Sequence, residues 1–204
     1  MPATGLAIGA IACAVGFALV ALAVARGWCR AIDERLLAAM PPLVPATRLD
    51  SAMHDFSALG GDTVRLIYLL AGTAGLVVAG AWRAAALFFV VSLASRLVVV
   101  LLKRIVRRER PPAHAHGVPT FSSSFPSGHG LMAMVMLLIG AELMTAGAPA
   151  ALRALLLALA GALSVAIGIA RIYLRVHWPS DVLAAWLGGG AWVLAALFVY
   201  RQLG

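Results

Sequence analysis

Residues 84–102 read AAALFFVVSLASRLVVVLL, and the chain then changes character to KRIVRRERPPAHAHGVPTFSSSFPSGH over 103–129. The first stretch carries a single charge, Arg96. An apolar run of about 18 or more residues reads as a membrane-spanning helix, because lipid offers the backbone no hydrogen-bond partner outside the helix itself. The pattern recurs along the chain. Spans are expected at about 6–25, 66–82, 84–102, 130–152, 154–170 and 182–200. The fold class that follows is all-α: a polytopic membrane protein with six transmembrane helices, forming a single integral-membrane domain over residues 1–204. Composition agrees, since 63% of residues are hydrophobic and 12% charged, against about a half and about a quarter in soluble domains.

The connections sort by length. Trp82 and Arg83 divide the second and third spans, and Arg153 divides the fourth and fifth, so tight turns are expected there. The first run has no charge from Met1 to Ala25 and no basic leader, which favours a retained helix over a cleaved signal. Cys13 lies inside that run and Cys29 beyond it, so no disulfide is expected. Between them and the second span, residues 26–65 form an interfacial segment. Its pieces RAIDERLLAAM and TRLDSAMHDFSAL carry apolar residues at helical spacing, separated by PPLVP. Two short helices on the membrane surface are expected, with an extramembrane loop packed on the bundle as the alternative.

The formal net charge is +8, which suits anionic headgroups; with no soluble basic domain, nucleic acid is excluded as a partner. Many of the cations fall within 103–110. Two spans, the fourth and fifth, separate segment 103–129 from RIYLRVHWPSD at 171–181, so both segments emerge on one side of the membrane. Lys103, Arg110 and Arg171 are thereby brought to one face, and clustered cations call for an anion; Arg in particular grips phosphate oxygens in pairs. Ser127 and Gly128 stand where the fourth span starts, and a helix N-terminus offers free N–H groups and a positive dipole end. Two histidines, His129 and His177, complete the set: one to attack phosphorus, the other to protonate the departing oxygen. Asp181, four residues after His177, can accept a proton from one imidazole nitrogen and leave the other free.

The pattern K-x6-RP from Lys103, then Pro126-Ser127-Gly128-His129, then R-x5-H-x3-D from Arg171, resembles the type 2 phosphatidic acid phosphatase superfamily. Ten positions match in order over Lys103 to Asp181. The resemblance implies that His177 is the nucleophile, that Asp181 orients it, and that His129 is the general acid. It implies that Lys103, Arg110, Ser127, Gly128 and Arg171 hold the phosphoryl oxygens. The family often has Ser where this chain has Ala170. The implied activity is metal-independent and cofactor-free hydrolysis of a lipid phosphate within the bilayer. A polyprenyl pyrophosphate, phosphatidic acid or phosphatidylglycerol phosphate would each fit, the headgroup reaching the site between spans three, four and six. Similar bacterial enzymes carry the site on the outer face of the cytoplasmic membrane, whereas the positive-inside rule read on residues 103–110 alone points to the cytoplasm. The alternatives are a lipid phosphotransferase with the same site and a non-catalytic lipid-phosphate binding or transport protein.

Other polar residues have plainer readings. Arg104, Arg107 and Arg108 are expected to rest on anionic lipid. His114 and His116 resemble half a metal site, with solvent exposure the expected state. Arg96 lies two helical turns before Lys103 and on the same face; it is expected to hold a partner within the bundle or to touch substrate. Glu142 lies inside the fourth span without an assigned partner, and Asp50, His54, Asp55 and Asp62 could cap the site, a solvated or capping role being the default.

Overall fold

The computed structural model describes residues 2–44, 47–112 and 122–203, and among these the chain forms α-helices and no strand. In order they are α1 (Ala3–Ala25), α2 (Arg30–Ala39), α3 (Arg48–Leu59), α4 (Asp62–Val78), α5 (Trp82–Val106), α6 (Gly128–Met144), α7 (Ala150–Tyr173) and α8 (Pro179–Gln202). Segment 26–65 holds two short helices, α2 and α3, as the sequence suggests, and then the first turn of α4. Thr47 caps α3, its hydroxyl accepting from Asp50 N–H at 3.2 Å. Gly27 ends the turn after α1 with φ +73°.

Four helices, α1, α5, α7 and α8, are long and apolar enough to cross a membrane. A fifth span arises if α3 and α4, bent by 48° across Gly60–Gly61, are taken together. The remaining apolar helix, α6, has only 17 residues. It is also the most enclosed, with Leu131, Val135, Met136, Ile139 and Leu143 all buried among α5, α7 and α8. A helix sheathed by protein meets other side chains where its neighbours meet lipid. By contrast α1 buries little besides Leu6 and Val24, and exposes Ile8, Ile11, Val15, Leu19 and Leu22.

Small residues let the helices close. A Cβ on Gly188 of α8 would lie 3.0 Å from Phe17 of α1, and one on Gly189 would lie 2.8 Å from Met134 of α6. Between helices in lipid, where there is no hydrophobic gain, such close approach is what binds them.

Two turns differ from the expected ones. The apolar run 130–152 is broken at residues 145–149, so Arg153 lies within the first turn of α7. Its guanidinium reaches back to Glu142, Nε donating to Oε2 at 3.1 Å. Arg201 Nη2 of α8 donates to the same carboxylate at 3.1 Å, so Glu142 joins three helices at the end remote from residues 103–129. Likewise Trp82 and Arg83 open α5 and do not form the turn before it. Glu142→Ala, leaving two part-buried arginines short of a counter-charge, is expected to cost about 1–3 kcal/mol and about 2–10 °C in thermal midpoint. Unfolding followed in detergent micelles checks this; an unshifted midpoint would make the cluster a bystander.

Candidate active site

The other end of the bundle gathers the chemistry. The last turns of α5 and α7, the first turns of α4 and α6, and the loop residues Arg110, Ser122, Ser123 and His177 surround a cavity of about 620 Å³. Lys103, Arg110, Gly128, His129, Arg171 and His177 all line it. Ser127 and Asp181 stand behind it, both fully buried.

Local sequence explains each placement. Arg107 ends α5 in the left-handed region, φ 46°, and turns the chain back over the bundle. Arg110 then donates through Nε to the Ser122 carbonyl at 2.8 Å and through Nη1 to the Val176 carbonyl at 2.6 Å. Lys103 Nζ donates to the Ser123 carbonyl at 2.6 Å. The cationic side chains thus pin segment 122–127 to the loop before α8. Ser127 caps α6, and its N–H donates to the Asp181 carbonyl at 3.1 Å, which ties the starts of α6 and α8 together. A Cβ on Gly128 would meet Val99 at 3.4 Å and Lys103 Cε at 3.9 Å, ordinary contact distances, so the glycine stands beside the Lys103 side chain at the cavity wall.

His177 is 2% exposed. Its Nδ1 faces Asp181 Oδ2 at 3.6 Å, long for a hydrogen bond, with the Ser124 hydroxyl beside both. Ser124 Oγ donates to Asp181 Oδ2 and lies 3.4 Å from Nδ1. At the opposite edge of the ring, Nε2 is 3.4 Å from Arg110 Nη1. Arg has only donors, so this neighbour favours a bare Nε2 and a proton on Nδ1, toward the carboxylate. Burial pushes the imidazole pKa down to about 3, Asp181 opposing the shift and Arg110 and Arg171 adding to it. The ring is neutral at physiological pH.

Asp181 is itself held from several sides. Its Oδ2 accepts from Trp178 N–H at 3.0 Å, capping α8. Its Oδ1 accepts from Arg108 Nη1 at 2.7 Å. Arg108 also donates to Asp33 Oδ2 at 2.6 Å, and Asp33, 1% exposed, takes the Ser180 N–H at 2.9 Å and the Ser180 hydroxyl at 2.6 Å. Burial pulls the Arg108 pKa down, but Asp181 and Asp33 outweigh it and hold the guanidinium above its ordinary value. Arg108 is therefore a part-buried strut between α2 and the start of α8. The expectation that it rests on lipid is overturned by two buried carboxylates that share it; Arg107, its exposed neighbour, bonds among the described residues only to its own helix end, through the Arg104 carbonyl at 3.0 Å.

The α3–α4 elbow forms the far wall. Ser57 accepts from Arg171 Nη1 at 2.6 Å. A Cβ on Gly60 would fall 2.8 Å from Ile167 and 3.1 Å from His129 Cδ2, so the elbow seats His129 directly. Asp62 and Arg65 of α4 and Arg96 of α5 continue the cavity wall. The helices that line the cavity among the described residues are α4, α5, α6 and the end of α7, with none from α8, whereas the expected route ran between spans three, four and six. Arg96 lines the cavity and pairs with Asp62, Nη1 to Oδ1 3.4 Å. His114 and His116 lie outside the described residues. Cys13 and Cys29 are both free thiols.

Asp33, Ser57, Arg65, Arg108 and Ser124 escape the sequence reading. Only Asp33 leaves a trace, since it and Leu37 mark the buried stripe of α2.

Comparison with known proteins bears on the family and the fold. The chain is 28% identical over 187 residues to phosphatidylglycerophosphatase B of Bacillus subtilis (strain 168), covering 91% of this chain and 89% of the relative. Among solved structures it superposes on the transmembrane PAP2 type phosphatidylglycerolphosphate phosphatase from Bacillus subtilis with a TM-score of 0.88 at 26% identity, over 96% of this chain and 98% of that one. Aquifex aeolicus LpxE gives a TM-score of 0.58 at 25% identity, over 80% and 91% of the respective chains. The PAP2 superfamily profile matches residues 84–203, which include every sequence-derived site residue. The chain belongs to the PAP2 superfamily.

Proposed function

We propose that this protein, a membrane lipid phosphatase of the PAP2 superfamily, works by passing a phosphoryl group first to His177 Nε2 and then to water. The observation that carries the reading is the orientation of His177: Nδ1 turned to Asp181 and Ser124, Nε2 turned to Arg110 and the cavity. In this mechanism Lys103, Arg110 and Arg171 take the phosphoryl oxygens, joined by the free N–H groups at the start of α6 around Ser127 and Gly128. The Nε2 lone pair forms the N–P bond as the P–O bond to the lipid breaks, and protonated His129 gives its proton to the departing oxygen. Asp181 stabilises the charge that develops on the His177 ring. Water then attacks phosphorus, losing a proton to His129, and the N–P bond breaks. Fixed cations neutralise the transition-state charge, so no metal or cofactor is required.

The six-span topology belongs to the same proposal, with α4 and the enclosed α6 counted as spans. The site lies on the periplasmic or external face of the cytoplasmic membrane. Its partner is the lipid phosphate headgroup, presented by the bilayer. Phosphatidylglycerol phosphate is the first substrate to assay, in view of the relatives' names, with a polyprenyl pyrophosphate and phosphatidic acid beside it.

The test is to incubate purified protein with ³²P-labelled lipid in EDTA and quench it. Label that is stable to alkali, lost in acid and mapped to His177 is expected, with phosphate release continuing under chelation. Release that stops with EDTA, or label on another residue, would overturn the mechanism.

A further inference from the structure

Phosphoryl transfer as drawn uses three cations, yet six line the cavity, against the one carboxylate of Asp62. The surplus is organised. Arg65, in the first turns of α4, has a side chain only 12% exposed, and its Nη2 donates to Asp62 Oδ1. Arg96 approaches the same oxygen from α5, so two guanidiniums share one acceptor. That acceptor belongs to a carboxylate that is itself 72% exposed, which weakens its hold on either. Arg65 Nε is buried and has no hydrogen-bond partner among the described residues. An unsatisfied buried donor costs free energy unless a ligand meets it. Cations facing a membrane bundle persist where a polar cavity receives them.

Position narrows what that ligand is. Arg96 precedes Lys103 by seven residues, which sets it about 10 Å deeper along α5 than the ammonium that binds the scissile phosphate. A substrate whose headgroup enters along this wall of the cavity passes Arg96 before it reaches His177.

We propose that Arg65 and Arg96 form a second anion station, which holds a second negatively charged phosphoryl group between the scissile phosphate and the hydrocarbon chain. The inference rests on the reaction assigned to the site above and sharpens its substrate class. The second group is either the inner phosphate of a pyrophosphate or the phosphodiester of a phosphoglycerol lipid; phosphatidic acid has neither. Arg65 offers its unused Nε–H and both positions offer a guanidinium fork, so the station makes charge-assisted hydrogen bonds that specify charge and not chain length.

The experiment measures kcat/KM for a prenyl pyrophosphate, phosphatidylglycerol phosphate and phosphatidic acid in mixed micelles, for wild type, Arg65→Gln and Arg96→Gln. For at least one of the first two lipids, the ratio of its kcat/KM to that of phosphatidic acid is expected to fall about ten- to a hundredfold in each variant, mainly through KM. A fall with the pyrophosphate alone identifies the inner phosphate, a fall with the phosphoglycerol lipid alone identifies the phosphodiester, and a fall with both means that the station accepts either. Ratios that stay at the wild-type value in the folded variants would overturn the inference while leaving the phosphatase assignment intact. Arg96→Gln, at an exposed side chain, keeps the test open if Arg65→Gln is unstable. A wild type that cleaves only phosphatidic acid would also overturn it, and a wild type that releases phosphate from no lipid would remove both.

Discussion

His177→Ala is expected to lower phosphate release at least about a thousandfold, with no phosphorylated protein trapped on quenching. The ring sits between a buried carboxylate and Arg110, so its removal takes away both the nucleophile and the group on which transition-state charge is shared. The remaining cations still bind phosphate, so binding of a lipid phosphate should outlast turnover. Initial rates in detergent micelles, together with equilibrium binding of a non-hydrolysable phosphonate lipid, separate the two effects. Release retained within tenfold of wild type would favour a different nucleophile, and bound lipid with no release by wild type itself would favour the binding-protein alternative.

Arg108→Ala is the second large effect, and Arg107→Ala is its control. The two residues are neighbours in one basic run, but their surroundings differ. Arg108 links buried Asp33 to buried Asp181, whereas Arg107 is exposed. Removing one partner of a buried ionic set leaves carboxylates without a counter-charge, at a cost of about 3–5 kcal/mol, or about 10 °C in thermal midpoint for a chain of this length. Activity measured well below that midpoint should also fall, because Asp181 then lacks the guanidinium that fixes its Oδ1. Arg107→Ala is expected to shift neither by more than a few tenths of a kcal/mol. Equal behaviour of the two variants would return Arg108 to the lipid surface.

How far the sequence carries can be traced residue by residue. Lys103, Arg110, His129, Arg171 and His177 are legible because apolar runs force the chain into helices that go out and back, so two polar segments separated by two helices, α6 and α7, meet at one end. The ends of the spans are less legible: residues 145–149 include Gly147 and Pro149, strong turn formers, but both are apolar enough to disappear into the run 130–152. The supports of the site are hidden for another reason. Arg108 stands 75 residues from Asp33 and 73 from Asp181, and no local rule separates it from its basic neighbours. Ser124 is one of three consecutive serines, and only packing brings it to the His177 ring.

The family profile begins at residue 84, whereas Asp33, Ser57, Gly60 and Arg65 come from the part of the chain before it. That earlier part is easily taken for an anchor, to be trimmed, swapped or randomised at will. A fragment starting at residue 84 would keep all ten motif positions, yet leave Arg108 with one carboxylate, Arg171 without its serine and His129 without the backbone it leans on. Shuffling the residues before position 84 therefore rebuilds the walls and supports of the candidate site.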